Sequence, residues 1–188
     1  MLRPRDSEAL IDEHAFEHEE FLPYWAELWP SGQALARRIA VRALHGARTL
    51  ELGCGLALPS LAAAIAGGRP VATDWSPQAI DLARANAERN GLAIEALRAD
   101  WASPEALLER APWDLVLGAD LLYERRNGEL LLPLLPRLVR PGGDIWLADP
   151  GRPPAAAFLA AAGEAFEVSS QEDRALPQGG IHRLRRRA

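Results

Sequence analysis

The sequence predicts an α/β domain built on a mostly parallel sheet, and three observations carry that prediction. Short apolar runs alternate with helix-like segments along the 188 residues, with tight connections between them. One run, Trp113-Asp114-Leu115-Val116-Leu117-Gly118, is apolar nearly throughout, as a strand covered on both faces should be. A third signal is the Gly53-Cys54-Gly55 turn, where an apolar run ending in an acidic residue meets a small-residue helix. At this length one domain covering 1–188 is expected, with 48% hydrophobic and 25% charged residues.

Residues 1–22 read as an acidic arm with few apolar anchors, with a short helix expected at 7–14. The stretch 22–32, which includes Tyr24, Trp25 and Trp29, is dense in aromatics without a clear period. Alone, it reads equally well as a plug under the following helix. Ser31 is expected to N-cap that helix, which runs to about Leu44 with Leu35 and Ile39 on one face. Gly46 closes it. A first strand at 48–52 feeds the glycine turn, and a helix follows at 59–66. Gly67-Gly68-Arg69-Pro70 breaks that helix ahead of a second strand, 71–73, which ends at Asp74.

Ser76 and Pro77 supply an N-cap and first-turn proline for a helix that stops at Asn90-Gly91. A third strand at 94–97 leads to Asp100-Trp101, and Ser103-Pro104 starts a shorter helix reaching Arg110. After the fourth strand, 113–118, comes Ala119-Asp120-Leu121-Leu122-Tyr123. A helix is expected over 129–140, with Pro133 and Pro136 making its start uncertain or kinking it. Pro141-Gly142-Gly143 turns the chain into a fifth strand at 145–148, ending at Asp149, and a helix at 154–165 follows. Two closing strands, 166–170 and 181–186, read as an antiparallel hairpin at the sheet edge, for a total of seven.

Several function classes are disfavoured. The formal net charge is −5, against a nucleic-acid binder held by phosphate contacts. The basic tail from His182 to Arg187 reads as a solvated terminal strand, with a docking patch as the alternative. No apolar run approaches the roughly 20 residues of a membrane span. The acidic amino terminus lacks the basic region of a secretory leader, so a cytoplasmic location is expected. Cys54 is the single cysteine; it reads as a small side chain fitting between two glycines. All 21 basic Lys/Arg positions are Arg, which GC-rich coding bias accounts for.

In a parallel sheet, ligands bind beyond the carboxyl ends of the strands. This chain puts Glu51 and the glycine turn there, then Asp74, Asp100 with Trp101, and Asp120 with Tyr123. There is no His/Cys metal cluster and no lysine for a phosphate loop. A third dinucleotide-motif glycine would fall at Leu58. Asp74, about 20 residues past the glycines, stands where a ribose diol is held. An acidic pocket flanked by Trp75 and Trp101 suits a nucleoside carrying positive charge, and S-adenosylmethionine fits that description. Each residue also has a plainer reading, since such aspartates often cap helices and tryptophans often fill cores.

With those motifs in view, the chain resembles the class I (seven-β-strand) S-adenosylmethionine-dependent methyltransferases, a Rossmann-like doubly wound fold. More closely it resembles the family 16 group, whose characterised members are mostly protein-lysine methyltransferases. The marks are Tyr24-Trp25-Ala26-Glu27-Leu28-Trp29-Pro30-Ser31-Gly32, Leu50-Glu51-Leu52-Gly53-Cys54-Gly55, Ala72-Thr73-Asp74-Trp75, Asp100-Trp101 and Asp120-Leu121-Leu122-Tyr123. Asp149-Pro150-Gly151-Arg152 is similar to the branch acting on the electron-transfer flavoprotein β subunit.

The resemblance turns the aromatic stretch within 1–30 into a wall of the cofactor site. The expected cofactor residues are Trp29, Ser31, Gly32, Glu51, Gly53, Cys54, Gly55, Asp74, Trp75, Asp100, Trp101 and Ala119. Asp120 and Tyr123 are the expected catalytic residues, Asp120 aiming the acceptor amine and Tyr123 shaping its entry. The substrate expected is a protein lysine, with a small-molecule N- or O-methyltransferase as runner-up and a non-catalytic binding module behind it. Substrate-recognition insertions of larger relatives are missing, and so is the Asn/Asp-Pro-Pro-Tyr motif of nucleic-acid amino-group methyltransferases. A monomer with no nucleic-acid or membrane partner is expected, yielding S-adenosylhomocysteine.

Overall fold

The protein is described here by a computed structural model that covers residues 1–4 and 24–187. The helix expected at 7–14 falls outside the described residues. Seven strands form one sheet: β1 (Arg48–Leu52), β2 (Arg69–Asp74), β3 (Glu95–Arg98), β4 (Trp113–Ala119), β5 (Val139–Asp149), β6 (Phe166–Asp173) and β7 (Leu176–Arg186). Their spatial order is β3-β2-β1-β4-β5-β7-β6. The first five run parallel, and β7 pairs antiparallel with both β5 and β6. Strand order therefore reverses between β1 and β4, and their carboxyl ends open a crevice there.

Among the described residues there are six α-helices: α1 (Pro30–Ala40), α2 (Leu58–Ile65), α3 (Pro77–Arg89), α4 (Glu105–Leu108), α5 (Arg125–Leu138) and α6 (Ala155–Ala162). Alternation along the strands sorts them onto two faces. Leu115 and Leu117 of β4 pack with α1 and α2, and Ala72 and Ala96 pack with α3. Leu50, Leu52 and Val116 point the other way, into a core with α5 and α6. The sheet is thus buried on both sides, which explains the unbroken apolar character of β4.

Several boundaries differ from expectation. Helix α1 is capped by Trp29, not Ser31, and the Gln33 N–H donates to the Trp29 carbonyl at 3.2 Å. Pro30 has a preset φ and no N–H, which suits the first helical position and places the cap one residue earlier. Ser31 then falls inside the first turn, fully buried, with its Oγ unpartnered. The helix stops at Ala40, because residues 44–46 turn back to bond Ala66 and Gly67 (Leu44 N–H to Ala66 O 2.9 Å, Gly46 N–H to Gly67 O 2.7 Å).

Helix α5 begins at Arg125 and accommodates Pro133 and Pro136 in its interior. Its early start is fixed by Asn127, whose Nδ2 donates to the Leu121 carbonyl at 2.9 Å. Strand β5 follows α5 directly, with an irregular register through Pro141-Gly142-Gly143. The closing hairpin is longer than expected because its pairing continues outward to Asp173 and Leu176. Among correct expectations, Ser76 caps α3 by accepting from the Ala79 N–H at 3.3 Å, and Gly91 follows that helix at φ +63°.

Candidate functional site

The carboxyl ends of β1, β2 and β4 surround a cavity of about 670 Å³. The turn after β1 makes its floor. Gly53 and Gly55 adopt φ +57° and +48°, a region that side chains disfavour. A Cβ on Gly53 would stand 2.8 Å from Leu121 Cδ2, and one on Gly55 would stand 3.0 Å from the Trp25 carbonyl. The glycines therefore also let the amino-terminal aromatic segment and the loop after β4 close over the turn.

Glu51, penultimate in β1, is buried, and its Oε2 accepts from the Ser60 N–H at 2.8 Å. Burial raises its carboxyl from 4.5 to about 8, with the Asp74 charge adding to the effect. Asp74 ends β2. Its Oδ2 accepts from the Gly55 N–H and its Oδ1 from the Ser76 N–H, each at 3.0 Å. Burial pushes its carboxyl upward as well, against those hydrogen bonds. Burial likewise raises the Cys54 thiol, which keeps it protonated.

The loop after β4 brings Asp120 to the same cavity at φ +57°, its N–H held by the Ala148 carbonyl at 2.8 Å. Its buried carboxylate meets Arg152 along two edges, Nε to Oδ1 at 2.9 Å and Nη2 to Oδ2 at 3.3 Å. At the mouth, the Tyr24 and Tyr123 rings lie 5.5 Å apart at 57°, and Trp29 lies 6.4 Å beyond Tyr24. Burial raises the Tyr123 hydroxyl.

A family model described as a methyltransferase domain matches residues 49–143, about half of the chain. The chain belongs to the methyltransferase-domain family. It is 36% identical over 136 residues to the electron transfer flavoprotein beta subunit lysine methyltransferase of Xenopus laevis, spanning 69% of this chain and 53% of that protein. It is 30% identical over 115 residues to the histone-arginine methyltransferase METTL23 of Mus musculus, spanning 58% and 46%. The chain thus spans about half the length of these curated relatives. The crystal structure of a methyltransferase from Pyrococcus furiosus shares the fold, with a TM-score of 0.71 at 17% identity over 85% of this chain and 83% of that one.

Within this methyltransferase domain, the cavity gathers nearly all the expected residues. Trp29, Gly32, Glu51, Gly53, Cys54, Gly55, Asp74, Trp75, Asp100, Trp101, Ala119, Asp120 and Tyr123 all line it. Ser31 does not, because the earlier cap turns its side chain into the α1 core. Asp100 lines the cavity, and its Oδ1 accepts from the Ala102 N–H at 2.8 Å in a local turn ahead of α4, whose cap is Pro104. Trp101 likewise both packs on the core and faces the cavity.

Tyr24, Asn127 and Arg152 also line the cavity and stood outside the expected site. The signal for Arg152 was its place three residues past Asp149 at the end of β5. No described group of three or more His, Cys, Asp or Glu side chains could hold a metal. No helix among the described residues is long and apolar enough to cross a membrane.

Proposed function

We propose that this methyltransferase domain uses S-adenosylmethionine to methylate the side-chain nitrogen of a protein lysine. The observation that carries the reading is the shared cavity, which Asp74, the glycine turn, Trp101 and Asp120 all line. The cavity's size falls in the usual range for a small-molecule site, about 300–1,000 Å³. Its chemistry fits the cofactor as well. Asp74 accepts from the Gly55, Ser76 and Trp75 N–H groups, and a carboxylate's roughly four acceptor positions leave room for a ribose hydroxyl as well. The turn's backbone can be approached closely, and the neighbouring buried Glu51 has a partner to gain in a ligand ammonium.

When bound, S-adenosylmethionine supplies a methyl group on a cationic sulfur, which an uncharged amine takes by in-line displacement to leave S-adenosylhomocysteine. The chain's residues bind and aim. Asp74 holds the ribose, Trp75 and Trp101 flank the adenine, and Asp100 accepts from its amino group. Glu51 and Gly53-Cys54-Gly55 seat the amino acid end, with Trp29, Gly32 and Ala119 closing around it. Asp120 accepts from the N–H groups of the acceptor amine, while Tyr123 and Tyr24 wall the entry and exclude water.

A protein acceptor is supported by the relatives' names, since both are protein methyltransferases. A cytoplasmic location accompanies the reading, and the single cysteine, Cys54, is consistent with it.

Incubating the protein and a cell extract with radiolabelled S-adenosylmethionine tests the proposal. The expected result is a labelled protein band that yields methyllysine on hydrolysis. Label confined to small solutes would redirect the reading to a small-molecule methyltransferase. No label, together with no cofactor binding by calorimetry, would overturn it. Asp120→Ala is expected to abolish transfer while S-adenosylhomocysteine still binds; lost binding would move Asp120 to a cofactor-holding role.

A further inference from the structure

Arg152 has no part in the scheme above, yet the fold is arranged to bring it to Asp120. Asp149, the last residue of β5, accepts at its Oδ1 from the N–H groups of Gly151 at 2.8 Å and Arg152 at 2.7 Å. That turn needs Gly151 at φ +95°, where a Cβ would collide with the Gln178 carbonyl of β7. The opposing Gly179 is equally closed to a side chain by the Asp149 carbonyl. The backbone is thus clamped between β5 and β7, and the guanidinium it projects meets Asp120 at two oxygens. Arg152 is partly exposed, whereas the Asp120 side chain is only 7% exposed.

We propose that Arg152 is a positioning residue that cancels the charge of Asp120, so that the site admits the acceptor amine in its neutral form. This rests on the reading of the cavity as an amine-methylating site. A bare buried carboxylate would stabilise an ammonium, and an ammonium has no lone pair to give. Paired with a guanidinium, the carboxylate carries little net field toward the cavity. Each oxygen still has a second lone pair to accept an amine N–H and aim the nitrogen. The acceptor's proton therefore goes to solvent before transfer, and the N–C bond forms as the C–S bond of the sulfonium breaks.

Other ionisable groups surround this pair. Asp149 lies behind Arg152 on β5, with His182 of β7 close enough to Asp149 to feel its charge. Tyr24 approaches from the amino-terminal segment and Tyr123 from the loop after β4. Glu51, Asp74 and Asp100 line the cavity, as do Glu27, Glu124 and Arg126, and Arg126 pairs with Glu124 at 2.7 Å. Asp149 also acts on Arg152 by its charge; its Oδ1 accepts from the Gly151 and Arg152 N–H groups, and its Oδ2 is buried without a partner. Among the described residues the cation paired with Asp120 is Arg152, so the charge that the acceptor meets at that carboxylate is set chiefly by Arg152.

The test is the pH profile of label transfer to protein in the extract assay, for the unaltered chain, Arg152→Gln and Arg152→Lys. Both substitutions remove the two-point clasp, but only Gln removes the charge. Arg152→Gln is expected to move the acidic limb of the profile upward by about 1–2 pH units, while Arg152→Lys leaves it in place. Equal shifts in both variants, or no shift in either, would overturn the proposal in favour of a purely structural clasp. Should Gln weaken the fold in a thermal melt, Arg152→Met supplies the neutral comparison.

A second readout needs no turnover. Binding of Nα-acetyl-lysine methylamide to the S-adenosylhomocysteine-loaded protein is followed by saturation-transfer NMR. The unaltered chain is expected to bind it better as pH rises, and Arg152→Gln to bind it already at pH 7. Identical pH dependence in the two proteins would sink the inference. An unaltered chain that labels no protein sinks the proposed function instead.

Discussion

Replacing Glu51 by Gln removes a buried carboxyl whose pKa burial pushes from 4.5 to about 8. Between those two values the folded chain keeps this proton and the unfolded chain releases it. Stability therefore falls as pH rises through that window and levels off above it. At about 1.4 kcal/mol per unit, the gap amounts to at most about 5 kcal/mol between pH 4.5 and 8. Gln keeps an oxygen to accept from the Ser60 N–H and has nothing to ionise. Urea unfolding of the cofactor-free protein at pH 5, 7 and 9 measures this directly. The unaltered chain should lose several kcal/mol across the series, and Glu51→Gln only the smaller slope left by Asp74, whose carboxyl burial also raises. Two curves falling in parallel would show instead that Glu51 is ionised in the folded state.

Gly53→Ala puts a Cβ at φ +57° against Leu121, and should cost about 1–2 kcal/mol in backbone strain alone, read by a thermal melt. The same variant should bind S-adenosylhomocysteine more weakly, because Leu121 must give way toward the cavity. Asp74→Asn loses a charged acceptor and should weaken that binding by about 10–100-fold in calorimetry, the equivalent of about 1.5–3 kcal/mol. Leu117→Ala, at a fully buried position of β4, should cost about 2–5 kcal/mol in urea unfolding with cofactor affinity little changed.

The legible part of this protein is local. Alternating short apolar runs and helix-like segments announced the sheet, and the continuous apolar face of 113–118 announced its centre. Gly53-Cys54-Gly55 and Asp74 were readable because strand, turn and strand end are fixed by neighbours a few residues apart. The Ser76-Pro77 helix start was readable for the same reason, a cap being a contact over three residues. The misplaced start of α1 belongs to this local class too: with Pro30 adjacent, the position that has no N–H outranked the hydroxyl of Ser31.

What the chain could not disclose in one dimension is contact between segments that only the sheet brings together. Arg152 and Asp120 are 32 residues apart, and they meet because β5 lies beside β4 and the Asp149 turn is held against β7. Tyr24 reaches Tyr123 across the whole domain, because the amino-terminal segment lies on the glycine turn. Local sequence determined the sheet, the glycine floor and the acids at the strand ends, since hydrophobic period and turn chemistry act over a few residues. Tertiary structure alone decided which charge Asp120 carries into the cavity, because that depends on which strand lies beside it.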